Sequence, residues 1–276
     1  MASLVRDLIE AGIHFGQRSS NWNPKMRSYI FGERKQIHII DIKETVKGLL
    51  LAKKFIKKTV SEGKDVVFVG TKRQARASIE RYAADVKMPF VTERWLGGTL
   101  TNFRTIRERL KRLVELETLA ASSEFNTYSK KMQSQLTREL KKLKRNLDGI
   151  RTMDKLPGAL VVVDVNREIN ALLEARNLGI PTIGLIDTDG NPDLTDIPIP
   201  GNDDSMRSID VVIRELCAAV TEGKAMRPQE REGAGEPRGE GAPAQGPRRS
   251  RRSQFRAEDA PAPAESTEAP ATPAAT

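Results

Sequence analysis

The stretch from Glu93 to Phe103, ERWLGGTLTNF, holds one of two tryptophans and the only Gly-Gly pair of the chain, and it runs into a helix start. Backbone N–H groups ahead of a helix attract anions, so glycines here suggest a phosphate cradle. A second candidate is FVGTKRQAR, with Gly70 at a strand end and Lys72, Arg73 and Arg76 opening a helix. It lacks the further glycines of a dinucleotide fingerprint and the Gly-Lys-Ser/Thr of a P-loop. Its three cations suit the backbone phosphates of a nucleic acid better.

The run IDTDGNPD spaces Asp187, Asp189 and Asn191 as in the first half of a calcium loop. The sixth position, which should be glycine, is Pro192, and the twelfth, which should be glutamate, is Pro198. A turn after a strand is the default here, with a weakly held magnesium ion near Asp187 or Asp189 as the alternative. His14 and His38 are the only histidines, and neither has a cysteine or second histidine at ligand spacing, which argues against zinc. Asp164, at the end of VVVDV, sits where an α/β enzyme places an acid. With no nucleophile or base beside it and no G-x-S-x-G elbow, a structural or capping role is favoured. The single cysteine, Cys217, excludes an internal disulfide framework, suits a reducing cytosol and lies on an apolar helix face.

HFGQRSSNWNPKMRSYIFGERK is of another kind. It interleaves His14, Phe15, Trp22 and Tyr29 with Gln17, Arg18, Asn21, Asn23, Lys25, Arg27, Arg34 and Lys35. Cations neutralise phosphates and exposed aromatics stack on unpaired bases, so the pattern favours RNA over a polar loop with a buried tryptophan. The charge of the 276-residue chain agrees: net +9, pI about 9.7. That charge is uneven. Residues 1–98 carry 19 Lys+Arg against 10 Asp+Glu, 99–151 carry 13 against 6, 152–223 carry 5 against 13, and 224–276 carry 9 against 8. A basic first part and middle with an acidic third part fit a protein with one side toward a polyanion.

The elements that must carry these residues follow from periodicity. SLVRDLIEAG reads as a short helix stopped at Gly12, followed by an irregular stretch and a hairpin over 29–40. Asp41 and Glu44 have capping-box spacing before a helix ending near Gly63. Then DVVFVG, PFVT, ALVVVDV and PTIGLID read as strands, alternating with amphipathic helices. This predicts an α/β fold: a parallel, flavodoxin- or Rossmann-like sheet flanked by helices. Between PFVT and ALVVVDV, leucines and isoleucines recur at four and three over two halves of about 20 residues, each roughly 30 Å long. They predict an inserted antiparallel coiled-coil hairpin that projects as an arm. The expected organisation is 1–101 with 151–223 as the α/β domain, 102–150 as the hairpin and 224–276 as a disordered tail poor in apolar residues. No apolar run approaches the ~18 residues of a membrane span.

Several long motifs in unbroken order are similar to the ribosomal protein S2 family (uS2) of the small subunit. LIEAGIHFGQRSSNWNPKMRSYIFGERKQIHIIDI resembles its first signature and PGALVVVDVNREINALLEARNLGIPTIGLIDTDGNPD its second, with PIPGNDDSMRSI, VGTKRQA and ERWLGGTLTNF in place. The hairpin insert is similar to bacterial-type members. The resemblance implies a structural, non-catalytic and cytoplasmic constituent of the small ribosomal subunit. It implies binding to 16S ribosomal RNA between head and body, and a part in docking the large mRNA-binding ribosomal protein number one. No cofactor, membrane or homo-oligomer is expected. The residues expected to meet RNA are His14, Gln17, Arg18, Asn21, Trp22, Asn23, Lys25, Arg27, Lys72, Arg73, Arg76, Arg94 and Asn102, with Arg104, Arg107, Lys111, Lys141, Lys144 and Arg145 on the arm. The Gly-Gly stretch then reads as the root of the arm.

Overall fold

The computed structural model describes residues 2–227. Elements are numbered in chain order. Helix α1 (Ala2–Ala11) ends at Gly12, whose φ of +77° is the left-handed conformation that stops helices. Strands β1 (Phe15–Arg18), β2 (Ile30–Arg34) and β3 (Ile37–Ile40) form a small antiparallel sheet in the order β1-β3-β2. The β2–β3 hairpin turns through Lys35 and Gln36, both at positive φ (52° and 60°), as a two-residue primed turn requires. The stretch read as irregular is thus partly a strand. FGQR carries no β-branched residue, and β1 is held by its partners: it pairs with β3 across a bulge, and Gln17 N–H donates to Thr188 Oγ1 at 2.9 Å. Between β1 and β2, Asn23 caps a 3-10 turn over Pro24–Tyr29.

Helix α2 (Ile42–Ser61) starts at Asp41, whose side chain accepts the Lys43 N–H. The capping box is only half made. Glu44 pairs with Lys47, and the Asp41 N–H donates to Tyr29 O instead. Then come β4 (Val66–Val69), α3 (Arg73–Asp85), β5 (Phe90–Val91), α4 (Phe103–Ala121), α5 (Lys130–Leu147), β6 (Ala159–Val163), α6 (Ile169–Asn177), β7 (Thr182–Ile186), β8 (Ile197–Pro200) and α7 (Met206–Ala225). The five later strands form one parallel sheet in the order β5-β4-β6-β7-β8. This is the flavodoxin-like order 2-1-3-4-5. Strand β8 reads IPIP, and its two prolines hide it from a strand pattern. Proline lacks a ladder donor, so such a segment fits only a sheet edge, which is where β8 lies.

β4, β6 and β7 are buried along their whole length, as parallel strands covered on both faces must be. Alternate residues feed two cores. On one face Phe68, Val161 and Leu185 pack with Leu8 of α1, Leu49 and Ile56 of α2, Ile79 of α3 and Ile209 and Leu216 of α7. On the other Val67, Val69, Leu160 and Val162 pack with Ala171 and Leu172 of α6, Trp95 and Leu100. Ile106 and Leu113 of α4, Leu147 of α5 and Ile150 belong to this second core. The near half of the hairpin therefore takes the place of a crossover helix between β5 and β6. Gly149 permits this close fit, since a Cβ there would lie 2.2 Å from Phe90 O. The far half pairs α4 with α5 around the buried Leu116 and Leu136. The last helix runs to Ala225, and Arg227 Nε donates to Val60 O at 2.8 Å. From residue 228 onward the expected tail lies outside the described residues.

Candidate nucleic-acid interface

In open α/β sheets ligands bind beyond the strand ends where strand order reverses, here between β4 and β6. In this chain that crevice is filled by the protein's own charges. Lys72, leaving β4, places Nζ 2.7 Å from Asp203, 2.6 Å from Asp204 and 3.3 Å from Asp164. Gln17 of β1 donates Nε2 to Asp204 at 2.6 Å and to Asp187 at 3.3 Å. Beside them the buried Glu168 accepts the Thr71 N–H at 3.2 Å and also its hydroxyl, while Arg167 Nε donates to Thr71 Oγ1 at 2.8 Å. Asp164, at φ +69°, accepts the Arg167 N–H and so turns the chain ahead of α6.

Burial opposes the charge of Lys72, but Asp203, Asp204 and Asp164 outweigh it and hold the ammonium protonated beyond its ordinary range. Burial likewise opposes the charge of Asp204, but its bonds to Lys72 and Gln17 bring its pKa down, so Asp204 is the firm partner. Burial and Asp164 push Asp203 up to about 8 against the pull of Lys72. Burial, with Asp189 and Asp204, pushes Asp187 up to about 6. Asp187, Asp203 and Asp204 bring carboxylate oxygens within 4.8 Å of one another, and Asp189 is not in that group. Three hard oxygen donors would suit magnesium. Lys72 already supplies the positive charge there, and a divalent ion would have to displace it.

The Gly-Gly loop does cradle an anion, and the anion is Glu174 of α6. Its Oε1 accepts the Trp95 indole N–H at 3.0 Å and the Gly98 N–H at 2.8 Å, and its Oε2 accepts the Leu100 N–H at 3.0 Å and the Thr101 N–H at 3.3 Å. Gly98 needs to be glycine because its φ is +88°. The loop delivers the chain to α4, whose N-cap position is Asn102. The Asn102 side chain makes no cap bond to the backbone and accepts the Thr105 hydroxyl at 2.9 Å instead.

The cations of the sequence reading divide into committed and uncommitted. Lys72 is committed to aspartates. Lys25 pairs with Asp193, and Arg107 with Asp154 at 3.4 Å. Arg76 and Arg145 share Glu93, at 2.8 and 3.0 Å, which ties α5 to α3 at the arm's root. By contrast Arg18, Arg27, Arg73, Arg94, Lys111, Lys141 and Lys144 make no ion pair or side-chain hydrogen bond among the described residues and are exposed. Arg104 is 93 % exposed with Glu108 at 3.5 Å. Asn21 is exposed, Asn23 is spent on its cap, and Trp22 is 36 % exposed against the His38 ring at 5.3 Å. The His14 ring lies 4.2 Å from that of Phe15. Sequence reasoning missed Glu174, Glu93 and the pair Asp203–Asp204. Within the acidic third part, Glu168, Glu174, Asp187 and Asp203 are buried against internal donors. The available signal was position: Glu174 shares a helix face with the apolar Ala171 and Ala175.

A plugged strand-end crevice, a carboxylate in the glycine loop and a set of exposed cations without ion-pair partners among the described residues define an α/β scaffold rather than a phosphate-loop enzyme. The chain belongs to the ribosomal protein S2 family, whose model it matches over residues 8–223. It is 57 % identical over 221 residues to the small ribosomal subunit protein uS2 of Rhodopirellula baltica, covering 80 % of this chain and 85 % of that protein. It is 48 % identical over 239 residues to uS2 of Mycobacterium ulcerans (87 % and 84 % covered), and 46 % identical over 222 residues to uS2 of Wolinella succinogenes (80 % and 82 % covered).

Proposed function

We propose that this chain grips 16S ribosomal RNA between the head and body of the small subunit and helps dock the large mRNA-binding ribosomal protein number one. The coarser role is that of its family: a structural, non-enzymatic constituent of the small ribosomal subunit, serving translation on the ribosome in the cytoplasm. In this reading 1–101 with 151–223 is the seat on the subunit and 102–150 is the gripping arm. The observation that carries it is the exposed, unpaired set Arg18, Arg27, Arg73, Arg94, Lys111, Lys141 and Lys144. Cations left without internal partners are the ones free to replace counterions on phosphate. Lys72, Arg76, Arg145 and Lys25 hold internal carboxylates and serve to position their elements. Phe15 and Phe31, 49 % and 78 % exposed, offer apolar faces on the strands that carry Arg18 and Arg34.

The test is assembly. Purified chain is added to small subunits stripped of this component, and the pellets are assayed for the chain and for subsequent capture of the mRNA-binding protein. Wild type co-sediments and is released at high salt. Arg104→Glu/Lys111→Glu/Lys141→Glu/Lys144→Glu incorporates several-fold less. Equal incorporation of the two removes the arm from the RNA interface.

A further inference from the structure

We infer that the Gly-Gly loop is a carboxylate-binding site whose ligand is the chain's own Glu174, and that this bond sets the position of the arm. The loop between β5 and α4 is where the chain leaves the sheet for the hairpin. It offers four N–H groups that converge: Trp95 Nε1 and the backbone of Gly98, Leu100 and Thr101. The Thr101 hydroxyl adds a fifth donor at 3.4 Å. Donors gathered in this way around one anion form a nest, and a nest without its anion leaves buried N–H groups unpaired. Leu100 is 2 % exposed and Trp95 8 %, so at these two donors water is a poor substitute for the carboxylate, while Gly98 is half-buried and Thr101 exposed.

The ligand comes from α6, which is packed on the same sheet face as the near half of the hairpin. Glu174 thus binds the root of the arm to a helix fixed in the core. Trp95 and Leu100 also pack in the core that holds Ala171 and Leu172 of α6, but the remaining hydrogen bonds of the loop are short-range: Thr99 N–H and hydroxyl to Leu96 O, and Asn102 N–H to Gly98 O. They shape the loop but do not tie it to α6. Glu174 is accordingly a positioning residue for the arm.

The test uses the full chain and no RNA, so its outcome is separate from that of the RNA reading. Amide exchange is followed in Glu174→Ala in chloride and in acetate at equal ionic strength. In chloride the Gly98, Leu100 and Thr101 amides are expected to exchange roughly ten- to a hundredfold faster, the range for a lost bond to a charged acceptor. Amides of β4 and β6 stay protected, and trypsin cuts faster at Arg104. Acetate, entering the emptied nest, restores slow exchange at those three amides while chloride does not. Glu174→Gln keeps the volume, so it guards against a failure of the alanine variant to fold. Its carbonyl oxygen still accepts at one of the two positions, but its NH2 meets N–H donors at the other, so it loosens either the Gly98 amide or the Leu100 and Thr101 amides and gains nothing from acetate. Wild-type protection in Glu174→Gln, uniform loss of protection across the sheet, or equal behaviour of Glu174→Ala in acetate and chloride would each overturn the inference.

Discussion

Two buried carboxylates carry opposite pH signatures. Burial opposes ionisation of Glu174, but the bonds from Leu100, Trp95, Gly98 and Thr101 outweigh it and hold its carboxyl below the ordinary value of 4.5. Its contribution is therefore fully present above about pH 4.5 and is lost as pH falls through the lowered folded value. Asp187 is the reverse case, with an ordinary value of 3.8 raised to about 6. Between those values the folded chain binds more protons than the unfolded one, so this carboxyl lowers stability as pH rises. Asp187→Asn should raise Tm relative to wild type at pH 8, and the gain should shrink through pH 6 and vanish near pH 4. Thermal melts at pH 8, 6 and 4 check this, and a pH-independent difference would show that charge is not the cause. At this scale the sequence disclosed residue types but not partners. Lys72 and Arg73 are adjacent and look alike, yet one faces three aspartates and the other is exposed and unpaired. Which of them turns inward depends on β8 and the loop after it, some 130 residues away.

At the scale of elements, legibility followed the strength of the hydrophobic pattern. The buried strands β4, β6 and β7, the amphipathic α2 and α7 and the hairpin were readable because burial on a fixed face leaves a period in the sequence. β1 and β8 were not, because each is specified by its neighbour. The FGQR strand is short and bulged, and the IPIP strand is tolerated only at an edge. The arm was expected to stand apart, yet its near half is core. This makes a prediction about two leucines. Leu113 is fully buried in the core beneath the sheet, so Leu113→Ala should cost about 2–5 kcal/mol of global stability. Leu136 packs in the far half of the hairpin, outside that core, so Leu136→Ala should loosen the hairpin tip while leaving the global transition nearly in place. Denaturant unfolding combined with amide exchange separates the two. Equal global losses would mean that the whole hairpin folds as one unit with the sheet.

At the scale of the molecule, charge is sorted by function. Four acids of the third part, Glu168, Glu174, Asp187 and Asp203, are drawn inward to the strand ends and the arm's root, where Thr71, Lys72, Gln17 and backbone N–H groups meet them. What remains outward on the arm and the N-terminal part is a surplus of positive charge. The net of +9 hinted at a polyanion, but only the fold separates cations that hold the protein together from those free to hold something else. The measurement that tests this most directly is the salt dependence of binding to purified 16S ribosomal RNA, for wild type and for Arg104→Glu/Lys111→Glu/Lys141→Glu/Lys144→Glu. Each phosphate contact contributes a slope of about 0.7–0.9 in log K against log salt, so the variant should bind more weakly with a slope shallower by about three. Identical slopes and affinities would contradict the account, because these exposed arm cations would then be touching no phosphate.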